Sequence, residues 1–226
     1  MANIASTTIR FYTSNKREIT KMFNQFKKIY RESIKEVGAY DFYLHYFTEQ
    51  EIEEFGCNAS GGVDYISDEI STIENTQMPY SNRVGNVYYF DIGCWSKWSP
   101  ATKLWLKIIE RNFPKVLLAY MGSECGMGLY IKWDESGLFY APELYDIDVY
   151  LEGMAEKKFT TLESSEIENK SALFDYINDA FGFCLDYQDY TIEQLEEKCN
   201  EIIQKEDEES YIYIHQYCDS SPYEGE

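Results

Sequence analysis

The chain has 226 residues, 44% of them apolar and 17% aromatic, which suffices for a packed core and is too rich in rings for a disordered acidic tail. Its net charge of −20 is lopsided: residues 1–113 carry 13 Lys/Arg against 14 Asp/Glu, a balance of −1, and residues 114–226 carry 7 against 26, a balance of −19. A field with such a direction repels a duplex phosphate backbone and attracts a partner with a basic surface.

Residues 7–13 alternate in the strand manner, and Ser14 or Asn15 can cap a helix from Lys16. In that helix Ile19, Met22, Phe23, Phe26, Ile29 and Tyr30 form one apolar face, while Lys16, Arg17, Lys21, Lys27, Lys28, Arg31 and Lys35 make the other basic. Residues 40–74 hold nine Asp/Glu and no Lys or Arg, so the two stretches are able to neutralise each other. Residues 86–92 read as a strand, Trp95-Ser96-Lys97-Trp98 as a bulky turn, and Ser99-Pro100 as the start of a helix that ends before Pro114. Strands are predicted over 115–121 and 127–133, broken by Gly122 and Gly126 as a hairpin, with further strands at 138–140 and 147–151. From about residue 152 acidic helices take over: 171–183, then a helix opened by Thr191 with Ile192, Leu195, Cys199, Ile202 and Ile203 as its apolar stripe. A strand at 211–214 precedes a polar tail.

These elements divide into an α+β domain over 1–152 with an acidic insertion at about 38–84, and an acidic, mainly helical extension over 153–226 that carries the final strand. The longest apolar run, 116–121, falls well short of the roughly 20 residues of a membrane span. A cytoplasmic protein without membrane contact is the expectation.

Met1-Ala2-Asn3 with Ser6-Thr7-Thr8-Ile9-Arg10-Phe11, then Trp95-Ser96-Lys97-Trp98-Ser99-Pro100 leading into a helix, then Glu124-Cys125-Gly126-Met127-Gly128 between strands, resemble the YubB-like ferredoxin-like proteins of plasmids and phages. The resemblance covers roughly residues 1–14 and 86–152. It departs from the pattern at Ile4-Ala5, where a Trp is expected, and does not reach the acidic C-terminal part. It implies an antiparallel ferredoxin-like sheet with helices on one face and a mobile-element origin; it implies no activity.

Catalytic and cofactor chemistry find little footing. Cys57, Cys94, Cys125, Cys184, Cys199 and Cys218 are scattered without a C-x-x-C pair, and read as buried reduced thiols rather than zinc ligands. Nothing local joins a cysteine to His45 or His215, and the glycines at 122, 126 and 128 match no phosphate-binding loop. Asp146 and Asp148 share one strand face, where a solvated pair is the simpler reading than a cation site. Trp95 and Trp98 are expected to clamp a helix to its sheet rather than to stack on bases. No catalytic residue, metal or cofactor is assigned.

The acidic helices are different. Glu193, Glu197 and Glu201 repeat at i, i+4, where like charges cost about 0.2–0.5 kcal/mol per pair, so a surface needing only solubility has a cheaper solution in mixed signs. With Glu196 and the neighbouring Asp175, Asp179, Asp186 and Asp189 they form the candidate partner-binding set. The expected function is non-enzymatic: a phage- or plasmid-encoded, anti-CRISPR-like inhibitor that mimics nucleic acid and occupies a basic host defence protein. The rivals are a nucleic-acid-binding module using the basic face of 16–35, and a structural accessory protein of a mobile element.

Overall fold

Every second side chain of strand β1 (Ile4–Thr13), from Ala5 to Thr13, is buried, because β1 lies mid-sheet with helices on that face. The computed structural model describes residues 4–33, 40–54, 61–79, 83–97 and 101–223. They form two compact units, Met1–Phe139 with Cys218–Glu226, and Tyr140–Tyr217. The fold class is α+β.

In the first unit, helices α1 (Lys16–Ser33), α2 (Tyr40–Leu44) and α3 (Glu49–Glu54) are followed by strands β2 (Gly61–Ile66), β3 (Ser71–Gln77) and β4 (Val84–Lys97). Helix α4 (Thr102–Asn112) and strands β5 (Leu117–Glu124) and β6 (Leu129–Trp133) complete the run. The strand order is β6-β5-β1-β4-β2, antiparallel throughout, with β3 also paired to β4. Both β2 and β3 fit on one edge of β4 because that strand is 14 residues long. The acidic stretch predicted as an insertion thus contributes two strands to the sheet. A two-residue strand of the returning chain, Cys218–Asp219, runs parallel to β6 at the far edge.

The core is aromatic. Phe11 stands 5.4 Å from the rings of Phe26 and Phe90 and 5.9 Å from Trp105, joining β1, α1, β4 and α4. Of the predicted α1 stripe, Ile19, Met22, Phe26 and Ile29 are buried and Phe23 and Tyr30 half-buried, while Leu104, Trp105, Ile108 and Ile109 of α4 are all buried. The Gly122–Gly126 break is corrected: Gly122 stays inside β5 opposite Thr7, and the turn is Cys125–Met127, ended by Gly128 at φ 65°. Residues 138–140, expected as a strand, form bends after a turn in which the Asp134 carboxylate accepts from the Ser136 and Phe139 amides.

The second unit begins with β7 (Leu144–Tyr150), α5 (Gly153–Lys158), β8 (Ser165–Glu168) and α6 (Lys170–Phe181), and ends with α7 (Ile192–Glu206) and β9 (Tyr211–Gln216). Its antiparallel sheet has the order β8-β7-β9, so the strand near 147–151, assigned from sequence to the first domain, pairs here instead. The unit is helix and sheet together rather than mainly helical. Tyr145, Ile147, Ile212 and Ile214 turn one sheet face into a core with Leu173, Phe174 and Ile177 of α6 and Leu195, Cys199 and Ile203 of α7. Asn169 caps α6, Gly182 closes it at φ 69°, and Thr191 with Gln194 forms a capping box on α7.

Among the described residues, no helix is long and apolar enough to cross a membrane.

Candidate functional site

The charge asymmetry also maps onto the fold. Tyr140–Tyr217 contain 20 Asp/Glu and 5 Lys/Arg, a balance of −15, which leaves −5 for the rest of the chain.

Helix α7 carries the candidate ridge. Leu195, Cys199 and Ile203 face the core at i, i+4 spacing, so Glu193, Glu197 and Glu201, offset by two residues, point outward, and all three are exposed. The α7 start, where backbone amides and the Thr191 hydroxyl face it, holds Glu193 below the ordinary carboxylate range, with a smaller pull from Lys170. Lys198, the basic residue inside this run, lies 5.7 Å from the Phe183 ring and 5.9 Å from that of Tyr190, so its charge sits over aromatic faces.

Glu196 is set apart by geometry. Its half-buried carboxylate accepts from the Ile214 amide at 2.7 Å. One helical turn later, the Asn200 side chain accepts from the Ile212 amide and donates to the Ile212 carbonyl, both at 2.8 Å. Together they occupy the outer edge of β9, which would otherwise present unpaired backbone groups. Glu196 therefore fastens the ridge in place as well as adding to its charge, a role that i, i+4 spacing alone does not reveal.

Asp175 and Asp179 lie exposed on the outer side of α6. Because α6 and α7 pack on the same sheet face, these carboxylates share the helical side of the unit with the α7 ridge. Asp186 and Asp189 belong to the connection between the helices. There Asp186 forms a turn, its carboxylate accepting from the Gln188 amide at 2.9 Å and its carbonyl from the Asp189 amide at 3.1 Å.

The opposite sheet face holds a second group of polar and aromatic side chains. Asp146, Asp148 and Tyr150 alternate along β7, opposite His215, Tyr213 and Tyr211 of β9, and Glu166 of β8 faces Asp146. Asp148 lies 3.7 Å from the His215 ring nitrogen. Burial, followed by repulsion from Asp148, raises Asp146 above the ordinary carboxylate range, with His215 pulling the other way. Burial and the charge of Asp146 raise Glu166 likewise. Among the described residues, no group of three His, Cys, Asp or Glu forms a metal site.

In the first unit the basic helix engages the acidic stretch through Lys27 and Tyr30, whose hydroxyl donates to the Asp64 carbonyl. Lys27 donates to the Ile66 carbonyl at 3.1 Å and lies 3.4 Å from Asp68, while Glu51 pairs with Arg111 of α4 at 2.9 Å. A cleft of about 450 Å³ lies along α1, lined by Phe23, Lys27, Lys28, Arg31, Glu32 and Asp68. Helix α1 covers one face of the sheet, whereas Arg10, Tyr89 and Asp91 lie on the other: Arg10 pairs with both Asp91 oxygens at 2.7 Å, over the rings of Tyr89 and Phe139. The basic helix and these sheet aromatics therefore do not form one surface. Trp95 is half-buried on the Arg10 side of β4, and Trp98, Ser99 and Pro100 lie outside the described residues.

No family model matches the chain, and no curated protein sequence matches it.

Proposed function

We propose that the protein is a non-enzymatic, mobile-element-encoded inhibitor whose acidic second unit engages a basic, nucleic-acid-binding host defence protein in the manner of anti-CRISPR proteins. The observation that carries this reading is the charge of −15 within one unit of 78 residues, whose α7 ridge is exposed. Adjacent carboxylates on such a ridge are about 5–6 Å apart, close to the scale of successive phosphates, and compete for the same Lys/Arg groove. Long-range attraction brings the partners together; short-range contacts hold them.

A ferredoxin-like assignment of the first unit, and with it the YubB-like resemblance, draws support from the succession β1-α1-β2-β4-α4-β5 and the antiparallel order β5-β1-β4-β2. It bears on the origin of the chain and leaves the binding chemistry to the second unit.

The test is to purify the tagged full-length protein from host cells with active defence systems, then measure whether it displaces nucleic acid from the co-purifying protein. Displacement by the wild type, with slower association for Glu193→Lys/Glu197→Lys/Glu201→Lys, is the expected result. Equal displacement by that variant excludes the α7 ridge; no displacement at all refutes the mimicry.

The cleft of Phe23, Lys27, Lys28 and Arg31 favours a second reading, a module binding single-stranded nucleic acid through one stacked base and neighbouring phosphates. That reading requires salt-dependent RNA or DNA binding by the protein alone, abolished by Arg31→Glu.

A further inference from the structure

We infer that the sheet face of the second unit opposite its helices is the surface that grips the partner, by taking arginine side chains across Tyr150, Tyr211 and Tyr213. This rests on the reading that the partner is basic. The three tyrosines come from adjacent strands with their rings in series: Tyr150 stacks on Tyr211 at 5.3 Å, and Tyr211 meets Tyr213 at 4.9 Å. Tyr150 and Tyr213 remain 43% and 47% exposed. Single exposed apolar side chains are ordinary on a protein surface, but a contiguous row of rings is a feature of binding surfaces. Tyrosine suits that task, since it offers a large rigid face with few torsions to freeze.

Carboxylates frame the row. Asp148 is the cross-strand neighbour of Tyr213. Tyr150 donates its hydroxyl to Glu152, and this bond, with the charges of Glu152 and Glu209, keeps the phenol protonated above its ordinary range. Rings bordered by negative charge match a planar guanidinium, which stacks on an aromatic face while its edge pairs with a carboxylate; an ammonium makes the second contact but cannot stack. The face therefore selects arginine over lysine, a preference that net charge alone does not produce.

The helical and sheet sides of the unit consequently have different tasks. The carboxylates of α6 and α7 point away from this face, so one flat partner surface cannot touch both. The ridge meets the basic groove and speeds association, and the tyrosine row adds the arginine-selective grip from the other side of the unit.

The experiment uses the full chain and two probes, nona-arginine and nona-lysine, titrated by calorimetry at physiological salt, with tyrosine ring resonances followed by NMR. Nona-arginine is expected to bind about tenfold more tightly than nona-lysine and to shift the rings of Tyr150, Tyr211 and Tyr213. Tyr150→Ala/Tyr213→Ala should lose about 30-fold in affinity for nona-arginine, the scale of a contact hot spot, while Tyr213→Phe, which keeps the ring, stays within about threefold of wild type. Glu193→Lys/Glu197→Lys/Glu201→Lys should keep the arginine preference while binding more slowly. If the helix variant abolishes binding and the tyrosine variant does not, or if the two peptides bind equally, the sheet-face inference is overturned and the basic-partner reading stands. Failure of the wild type to bind either peptide overturns both. The ring shifts in the wild type decide the matter even if the double variant does not fold.

Discussion

Replacing Asn200 by Ala should loosen α7 from the edge of β9, and with it the ridge that the helix carries. The side-chain amide of Asn200 serves both backbone groups of Ile212, at 2.8 Å each, so the substitution removes two hydrogen bonds and strands one donor and one acceptor. Two bonds at about 1 kcal/mol net, with a further penalty of about 1–3 kcal/mol for each buried group left unpaired, set the upper range. Asn200 is only half-buried, however, and water that enters replaces part of the loss. We expect a net cost of about 2–3 kcal/mol. The assay is urea denaturation together with hydrogen exchange: the Ile212 amide should lose protection first, followed by that of Ile214, which Glu196 holds one helical turn away. Glu197→Ala, at an exposed position of the same helix, is the control and should change neither measurement by more than about 0.5 kcal/mol. An Asn200→Ala protein with an unchanged midpoint and unchanged Ile212 exchange would refute the account of how α7 is held.

Asp146→Asn should stabilise the protein at neutral pH, because a carboxyl raised above its ordinary value of 3.8 favours the folded state when protonated and loses that contribution as pH rises through the folded-state value. The gain should shrink as pH falls toward 3.8; urea midpoints that show no more stabilisation at pH 7 than at pH 4 contradict it. Thiol labelling of the native protein with mass-spectrometric readout should modify the exposed Cys125, Cys184 and Cys218 and spare the buried Cys94 and Cys199, whose thiols burial pushes up to about 12. Rapid modification of Cys199 would mean that α7 lifts from its sheet. Arg10→Ala should cost about 2–3 kcal/mol in thermal or urea unfolding, since it leaves the Asp91 carboxylate, 19% exposed, without its bidentate partner and the Tyr89 and Phe139 rings without the cation over them. A loss below about 0.5 kcal/mol would place that pair in the class of surface ion pairs.

Local pattern was enough to read the elements whose hydrogen bonds and apolar stripes lie within a short window. Helices α1, α4, α6 and α7 follow the spacing of residues such as Ile19, Met22 and Phe26, or Leu195, Cys199 and Ile203. The capping signal at Thr191 and the alternation of β1 and β9 needed no partner to be recognised. The charge imbalance, and the offset of Glu193, Glu197 and Glu201 from the apolar stripe, are properties of the sequence in the same sense. Tertiary structure decided the rest, because pairing between strands is a contact between distant segments. Residues 71–77 hold one large apolar side chain, Ile73, and become a strand by bonding to β4. The alternating residues 144–150 could have joined either sheet; the edges of β8 and β9 settled which. Only that choice aligns Tyr150 of β7 with Tyr211 of β9, 61 positions along the chain, and only the packing of α7 against β9 turns Glu196 into a fastening.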